Sequence, residues 1–387
     1  MKKSSAKIPC AWDRRNSAHP GPSLRGAGPI PASLRQMDEV PRVARLRWMA
    51  KMAGMRILVL GGTKHVGRAI VETALTRGDM VTTINRGVSR APAAGVEPLI
   101  ADRADPEALR QVVGDREWDA VIDTWSGAPR VVRDSCRLLT CRARHYGYVS
   151  SRSVYRQPIP PGADEHAPVV DGNPDDGRDE DYAAAKRGGE LAALQTFGER
   201  ALLARAGLIL GPYEDTGRLP WWLRRIERGG LVLAPGDPAR PIQYIDARDL
   251  ARWMLSAAER GIGGAFNTIS WPGHSTMGEL LESAVTVTGS DVTLVWADAE
   301  VIEEAGIRPW TELPIWLPQD AKYAGMHQTD VSAAHNAGLS CRPVEETVAD
   351  TWAWLQAERD LGPHPGRPRL GLDPAKEKQV LDKLTES

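Results

Sequence analysis

A doubly wound parallel α/β sheet carrying a smaller, mostly helical C-terminal lobe is predicted by three observations. The apolar run Arg56-Ile57-Leu58-Val59-Leu60 has the strand length and unbroken hydrophobicity of a segment buried on both faces of a parallel sheet. It leads straight into the glycine-rich turn Gly61-Gly62-Thr63-Lys64-His65-Val66-Gly67, followed by helical apolar spacing. Apolar runs then alternate with helical stretches for about 150 residues, and strands separated by helices imply right-handed crossovers.

In order, the pattern predicts a strand over 56–60, a helix over 66–77, strands over 80–84 and 96–101, a helix over 106–113, a strand over 119–123, a helix over 128–139 and a strand over 146–150. A helix over 182–196 leads into a strand over 201–210, which stops at Gly211-Pro212. The pattern then loosens into a Trp- and Arg-rich helical piece over 219–228 and a Gly/Pro loop over 229–241. The sheet resumes at Tyr244-Ile245, with a helix over 247–259 and a strand over 265–269. Residues 276–358 read as a mostly helical cap with loops around 310–319. The expected organisation is a dinucleotide-binding core over 55–212, its sheet completed by 241–270, a substrate lobe from 213–240 and 271–360, and a C-terminal tail over 361–387. No internal repeat is visible.

At 387 residues the chain can bury a large core or two modest ones. Its net charge of -1, with 26% charged residues, is that of an ordinary globular protein rather than a polyelectrolyte. No apolar run of membrane-spanning length and no secretory leader is present, so the expected location is the cytoplasm. Cys10, Cys136, Cys141 and Cys341 form no CxxC pair, which argues for ordinary thiols and against a metal site or a disulfide framework. Residues 1–54 differ from the rest, with 11 Lys or Arg against 3 acids and no sustained apolar period. They read as a disordered basic extension, with Met49, Met52 and Met55 as alternative starts, or else as an arm for an anionic partner.

The turn Gly61–Gly67 lies where a dinucleotide's pyrophosphate is bound, because glycines let the backbone approach and the helix start offers its N–H groups. Gly61, Gly62, Thr63, Lys64, His65, Val66 and Gly67 are therefore cofactor candidates. At the end of the second strand stands Asn85-Arg86-Gly87, not the carboxylate that bonds a ribose 2′-hydroxyl. A guanidinium grips a 2′-phosphate, so Arg86, assisted by Lys64 or Arg90, favours NADP(H) over NAD(H). Asp102-Arg103, after the third strand, are further candidates, Asp102 as acceptor for the adenine amino group.

Tyr182-Ala183-Ala184-Ala185-Lys186 puts a phenol and an ammonium on one helical face, where the cation favours the phenolate. Such a tyrosine can act as acid or base near neutral pH. Upstream, Val149-Ser150-Ser151-Arg152-Ser153-Val154-Tyr155 supplies hydroxyls at a strand end. With these motifs in this order, the chain resembles the extended short-chain dehydrogenases/reductases, with their Rossmann sheet, and within them the NAD-dependent epimerase/dehydratase family, especially its GGTRFIG-type members. The resemblance covers about 55–358. It implies that Tyr182 is the acid/base, that Lys186 binds the nicotinamide ribose and tunes Tyr182, and that Ser151 bonds the substrate oxygen.

The departures are informative. Sugar-nucleotide dehydratases of the family carry an Asp-Glu pair where Arg152 and Ser153 stand, so dehydration is disfavoured. Family epimerases carry an arginine where Ile242 stands, with Arg240 two residues away. The expected function is an NADP(H)-dependent reductase or alcohol dehydrogenase for a small-molecule carbonyl or secondary alcohol. The alternatives are a sugar or nucleotide-sugar epimerase and a non-catalytic RNA-binding relative, the latter disfavoured by a core that is not basic. Arg218, Trp221, Trp222, Arg240 and Trp316 are substrate-lobe candidates, and Gly188-Gly189 would permit the close helix approach of a homodimer.

Overall fold

A computed structural model describes residues 54–88, 91–358 and 370–386. Arg90 and all but the last residue of the basic extension lie outside the described residues. A seven-stranded, wholly parallel sheet forms the core, its strands lying side by side in the order 264–268, 201–206, 143–151, 118–123, 56–60, 80–85 and 96–100. Its first strands and helices are β1 (Arg56–Leu60), α1 (His65–Thr76), β2 (Met80–Asn85), β3 (Val96–Ile100), α2 (Pro106–Val113) and β4 (Trp118–Asp123). There follow α3 (Pro129–Leu139), β5 (Ala143–Ser151), α4 (Tyr182–Phe197) and β6 (Ala201–Ala206).

Alternation along β1 shows why both faces must be covered. Ile57 and Val59 point into one cluster with Ile70 of α1, and Leu58 and Leu60 into another with Val132 and Leu139 of α3. The helix α6 (Ala247–Arg260) packs beside α1 on the first face, and α4 packs beside α3 on the second. The strand expected over 201–210 is broken: β6 ends at Ala206 and β7 is only Ile209–Leu210. A Cβ on Gly207 would stand 1.9 Å from Ile269 Cδ1, so the chain steps aside where that side chain crosses it.

The second lobe has its own core around Trp222, Leu223, Leu280 and Leu355. It is built from α5 (Arg218–Glu227), β8 (Gly230–Pro235), β9 (Pro241–Ile242), the short β10 (Ile245–Asp246), β12 (Ser275–Thr276) and α7 (Met277–Thr288). Then come β13 (Val292–Ala297), α8 (Ala299–Glu304), α9 (Ser332–Asn336), α10 (Val344–Ala357) and α11 (Pro374–Glu386). The last core strand, β11 (Gly264–Thr268), lies between them in sequence. The lobe is less purely helical than its apolar spacing suggests, because β8 and β13 pair in parallel across their whole length. β8 lies inside the expected Gly/Pro loop; Gly229 and Gly230 take φ of 76° and 73° to turn the chain into it.

The described part of the expected tail is the docked helix α11. Arg225 Nε donates to both Glu377 carboxylate oxygens at 2.9 and 2.7 Å, and Leu233 N donates to Oε1 at 3.2 Å. Cys136 and Cys341 are free thiols, whereas Cys141 is disulfide-bonded, against the expectation of ordinary thiols throughout. Among the described residues no helix is long and apolar enough to cross a membrane.

Glu377 and Arg225 are both buried, so removing the carboxylate strands a cation. Glu377→Ala is expected to lower stability by about 3 kcal/mol or more in urea unfolding followed by tryptophan emission.

Candidate active site

The backbone of the glycine turn is made for close approach. Gly61 and Gly62 take φ of 121° and 96°, where L side chains are strained. A Cβ on Gly61 would lie 2.4 Å from Thr124 Oγ1, and one on Gly67 would lie 2.6 Å from Gly62 N. The helix α1 begins with Lys64 as its N-cap, with no side-chain cap and no acid in the first turn. By contrast α2 and α4 are capped by Asp105 and Asp181. The first N–H groups of α1 are thus left for an anion beside a backbone cradle that any Cβ would fill, which fits a dinucleotide's pyrophosphate.

Gly61 through Gly67, Arg86, Asp102, Arg103, Ser151, Tyr182 and Lys186 all line one cavity of about 510 Å³ at the C-terminal ends of the strands. Arg86 is exposed, with no hydrogen-bond or ionic partner among the described residues. Its neighbour Asn85 uses Oδ1 to accept from Gly87 N at 2.9 Å, so β2 ends without a carboxylate. The Asp102 carboxylate accepts from Ala104 N at 2.9 Å and remains exposed.

Arg103 is held away from the role expected of it. Its guanidinium donates to both Asp123 oxygens at 2.6 and 2.7 Å, both residues are buried, and Tyr146 donates to Asp123 Oδ2 at 2.5 Å. Burial works to raise the Asp123 carboxyl, but the guanidinium outweighs it and holds the pKa below the usual carboxylate range. The side chain braces the cavity wall instead of reaching for a ligand.

Lys186 is 3% exposed, and its ammonium donates to Trp125 O at 2.6 Å and Val149 O at 2.8 Å. Burial pulls its pKa down to about 8, opposed by Asp123 and Glu190. The Nζ lies 5.9 Å from the centre of the Tyr182 ring, which is 48% exposed to the cavity side of α4. Ser151 ends β5, its Oγ 3.1 Å from Ser153 Oγ and accepting from Ser153 N. Ser150 is committed elsewhere: it donates to the buried Glu190 at 2.7 Å, where Arg205 and Arg187 also bind.

A second cavity of about 780 Å³ adjoins the first, and the two share Ser151, Tyr182, His65, Asp179 and Asp215 in their walls. His65 is buried at φ 29°, and burial keeps its ring below the ordinary histidine pKa despite nearby Glu214 and Asp215. Of the substrate-lobe candidates only Arg218 lines this space. Trp222 and Trp316 are buried in the lobe core, Trp221 packs edge-on against Trp222, and Arg240 opens onto a different cavity. In their place stand Arg152, Trp310 and His327, which no spacing in the sequence singles out. Gly188 and Gly189 do not offer a helix surface to a second copy. Added Cβ atoms there would meet Pro129 at 2.7 Å and Tyr148 Oη at 2.5 Å, inside the chain's own core.

The model of the NAD dependent epimerase/dehydratase family matches residues 57–268. A 3-diazoavenalumate denitrifying reductase from a Streptomyces species is 30% identical over an alignment of 235 positions that covers 55% of this chain and 75% of that reductase. The Bordetella bronchiseptica enzyme WbmH, solved with NAD+, superposes with a TM-score of 0.60 at 18% identity, over 78% of this chain and 98% of its own. UDP-glucose 4-epimerase from Thermotoga maritima, solved with UDP-glucose, gives 0.59 at 17% identity, over 79% and 100%. At such identities the structures speak for the fold alone, whereas the family match spans more than half the chain. The chain therefore belongs to the NAD-dependent epimerase/dehydratase family, as an NAD(P)-dependent enzyme of the short-chain dehydrogenase/reductase type.

Proposed function

We propose that this protein is an NADP(H)-dependent oxidoreductase acting on a small-molecule carbonyl or secondary alcohol, with Tyr182, Lys186 and Ser151 as its catalytic residues. The observation that carries the reading is the buried Lys186 ammonium, 5.9 Å from the centre of the Tyr182 ring, on a helix whose Tyr182 lines both cavities. The glycine turn and the start of α1 would hold the pyrophosphate, Lys186 the nicotinamide ribose, and Asp102 the adenine edge. Arg86 supports NADP(H): it has no partner among the described residues, and no carboxylate at the end of β2 would repel a 2′-phosphate. When bound, the nicotinamide supplies or accepts a hydride.

The chain's own residues then manage the oxygen. Ser151 Oγ donates a hydrogen bond to the substrate oxygen and fixes its position. In the reducing direction the Tyr182 hydroxyl gives its proton to that oxygen; in the oxidising direction its phenolate takes one. The Lys186 charge, 5.9 Å from the centre of the Tyr182 ring, stabilises the phenolate. A second reading, in which one sugar centre is oxidised and re-reduced with no net use of NADPH, is favoured by the roomy adjoining cavity of about 780 Å³.

Three outcomes are expected. In a screen of aldehydes and ketones read by NADPH absorbance, Tyr182→Phe should lower kcat by about 100-fold or more while NADPH binding is retained. A fully active variant would remove Tyr182 from the reaction, and turnover without net NADPH loss would favour the epimerase. In calorimetric titration, Arg86→Ala should weaken NADPH by about tenfold or more and leave NADH unchanged. Equal losses for both cofactors would place Arg86 away from the 2′-phosphate. The third concerns pH: because the unfolded chain holds the Lys186 proton more tightly than the folded protein, stability relative to Lys186→Met should be flat below about pH 8. It should then rise by on the order of 3 kcal/mol toward pH 10.5, measured by urea unfolding.

A further inference from the structure

Four arginines are buried in the described residues: Arg103, Arg152, Arg205 and Arg225. Three of them lie against a buried carboxylate, on Asp123, Glu190 and Glu377 respectively. Arg152 does not. At 5% exposure its guanidinium donates to Met326 O at 2.9 Å and Gly325 O at 3.0 Å, Nε has no partner, and no carboxylate among the described residues pairs with it. Burial accordingly pulls its pKa down to about 10, with only Tyr155 acting in the other direction. A buried cation held by neutral carbonyls alone is costly, and the missing anion is most simply a ligand's.

A second orphan stands beside it. His327 follows directly on the two carbonyls that hold Arg152, and its Nδ1 accepts from Gln243 N at 2.9 Å. The ring's proton is therefore on Nε2, which is buried and has no partner. Burial, with Arg152 and Arg240 nearby, pulls this ring down to about 4, so it is a neutral N–H donor at physiological pH. Both residues line the second cavity, as do Ser151 and Tyr182, while Ile159, Met326 and Trp310 give it apolar wall.

We propose that Arg152 and the Nε2–H of His327 form a carboxylate subsite, so that the substrate presented to Tyr182 and Ser151 is an organic acid. The proposal rests on the reading of Tyr182 and Ser151 given above. A guanidinium has five N–H donors, and after the two carbonyl bonds Arg152 keeps enough for a side-on carboxylate. The charge balance favours a monoanion over a nucleoside diphosphate. Asp179 and Asp215 also face this cavity, and its other cation, Arg218, is engaged by Thr216 Oγ1 at 3.1 Å and lies over the Trp310 ring. A diphosphate would bring two or more charges to a space whose one buried cation matches a single negative charge.

The test is calorimetric titration of the full chain, saturated with NADP+, with 3-phenylpropionate, with its amide, and with UDP. The acid is expected to bind about tenfold or more tighter than the amide, and Arg152→Gln to erase that difference while NADP+ and amide binding stay within about twofold. Arg152→Lys should keep part of the preference. Equal binding of acid and amide, binding of neither, tighter binding of UDP than of the acid, or an Arg152→Gln variant that keeps the preference would each overturn the subsite. The acid-amide comparison on the native chain decides the matter even if Arg152→Gln fails to fold. Tyr182→Phe should leave acid binding intact, so failure of the Tyr182 chemistry and failure of the subsite are read separately.

Discussion

An ammonium taken out of water must find oxygen atoms, and Lys186 reaches its two only where three pieces of chain converge. Trp125 O belongs to the loop after β4, Val149 O to β5, and the lysine itself to α4. Satisfying that one charge sets the depth and rotation of α4 against the sheet. It thereby places Tyr182, one turn earlier on the helix, beside Ser151, two residues beyond Val149. The position of the Tyr182 phenol at the cavity thus follows from the solvation of the Lys186 ammonium one turn further along the helix.

Around this point the sheet's C-terminal edge is tied by buried ionic clusters rather than by more apolar packing. Asp123 gathers Arg103 and Tyr146, and Glu190 gathers Ser150, Arg187 and Arg205, which itself donates to the Tyr155 hydroxyl at 3.1 Å. Such clusters add little net stability compared with hydrocarbon of the same shape, because each charge is first stripped of water. Their directional bonds do fix one arrangement of strand ends, which a greasy interface would leave freer to slide. Against this background of paired arginines, Arg152 is conspicuous for facing only carbonyls.

The first half of the fold was legible because its strands are continuous apolar runs separated by helical spacing, a local signal. That the glycine turn, Arg86, Tyr182, Lys186 and Ser151 come together around one cavity was legible as well, since each stands at, or within about a turn of, a strand or helix end. What stayed hidden depends on contacts remote in sequence. Arg103 looked available because its partner Asp123 lies 20 residues further on. Trp221, Trp222 and Trp316 could not be told from pocket residues until the lobe core claimed them. β8 was masked by flanking glycine and proline, and it exists because β13, about 60 residues later, pairs with it. His327 carries no local pattern at all; its significance comes from Gln243 on one side and Arg152 on the other.

The interleaving of the lobe with the core also bears on how the chain is born. All seven strands of the central sheet have been synthesised once Thr268 is made, so the core has its parts while much of the message is still untranslated. The lobe has no such early completion. Arg225 waits 152 residues for Glu377, and β8 waits for β13. During that interval a charged guanidinium and an unpaired strand edge stand uncovered beside a finished neighbour, the situation in which nascent chains attract chaperones. Slow translation beyond Thr268 would therefore endanger the second lobe far more than the central sheet.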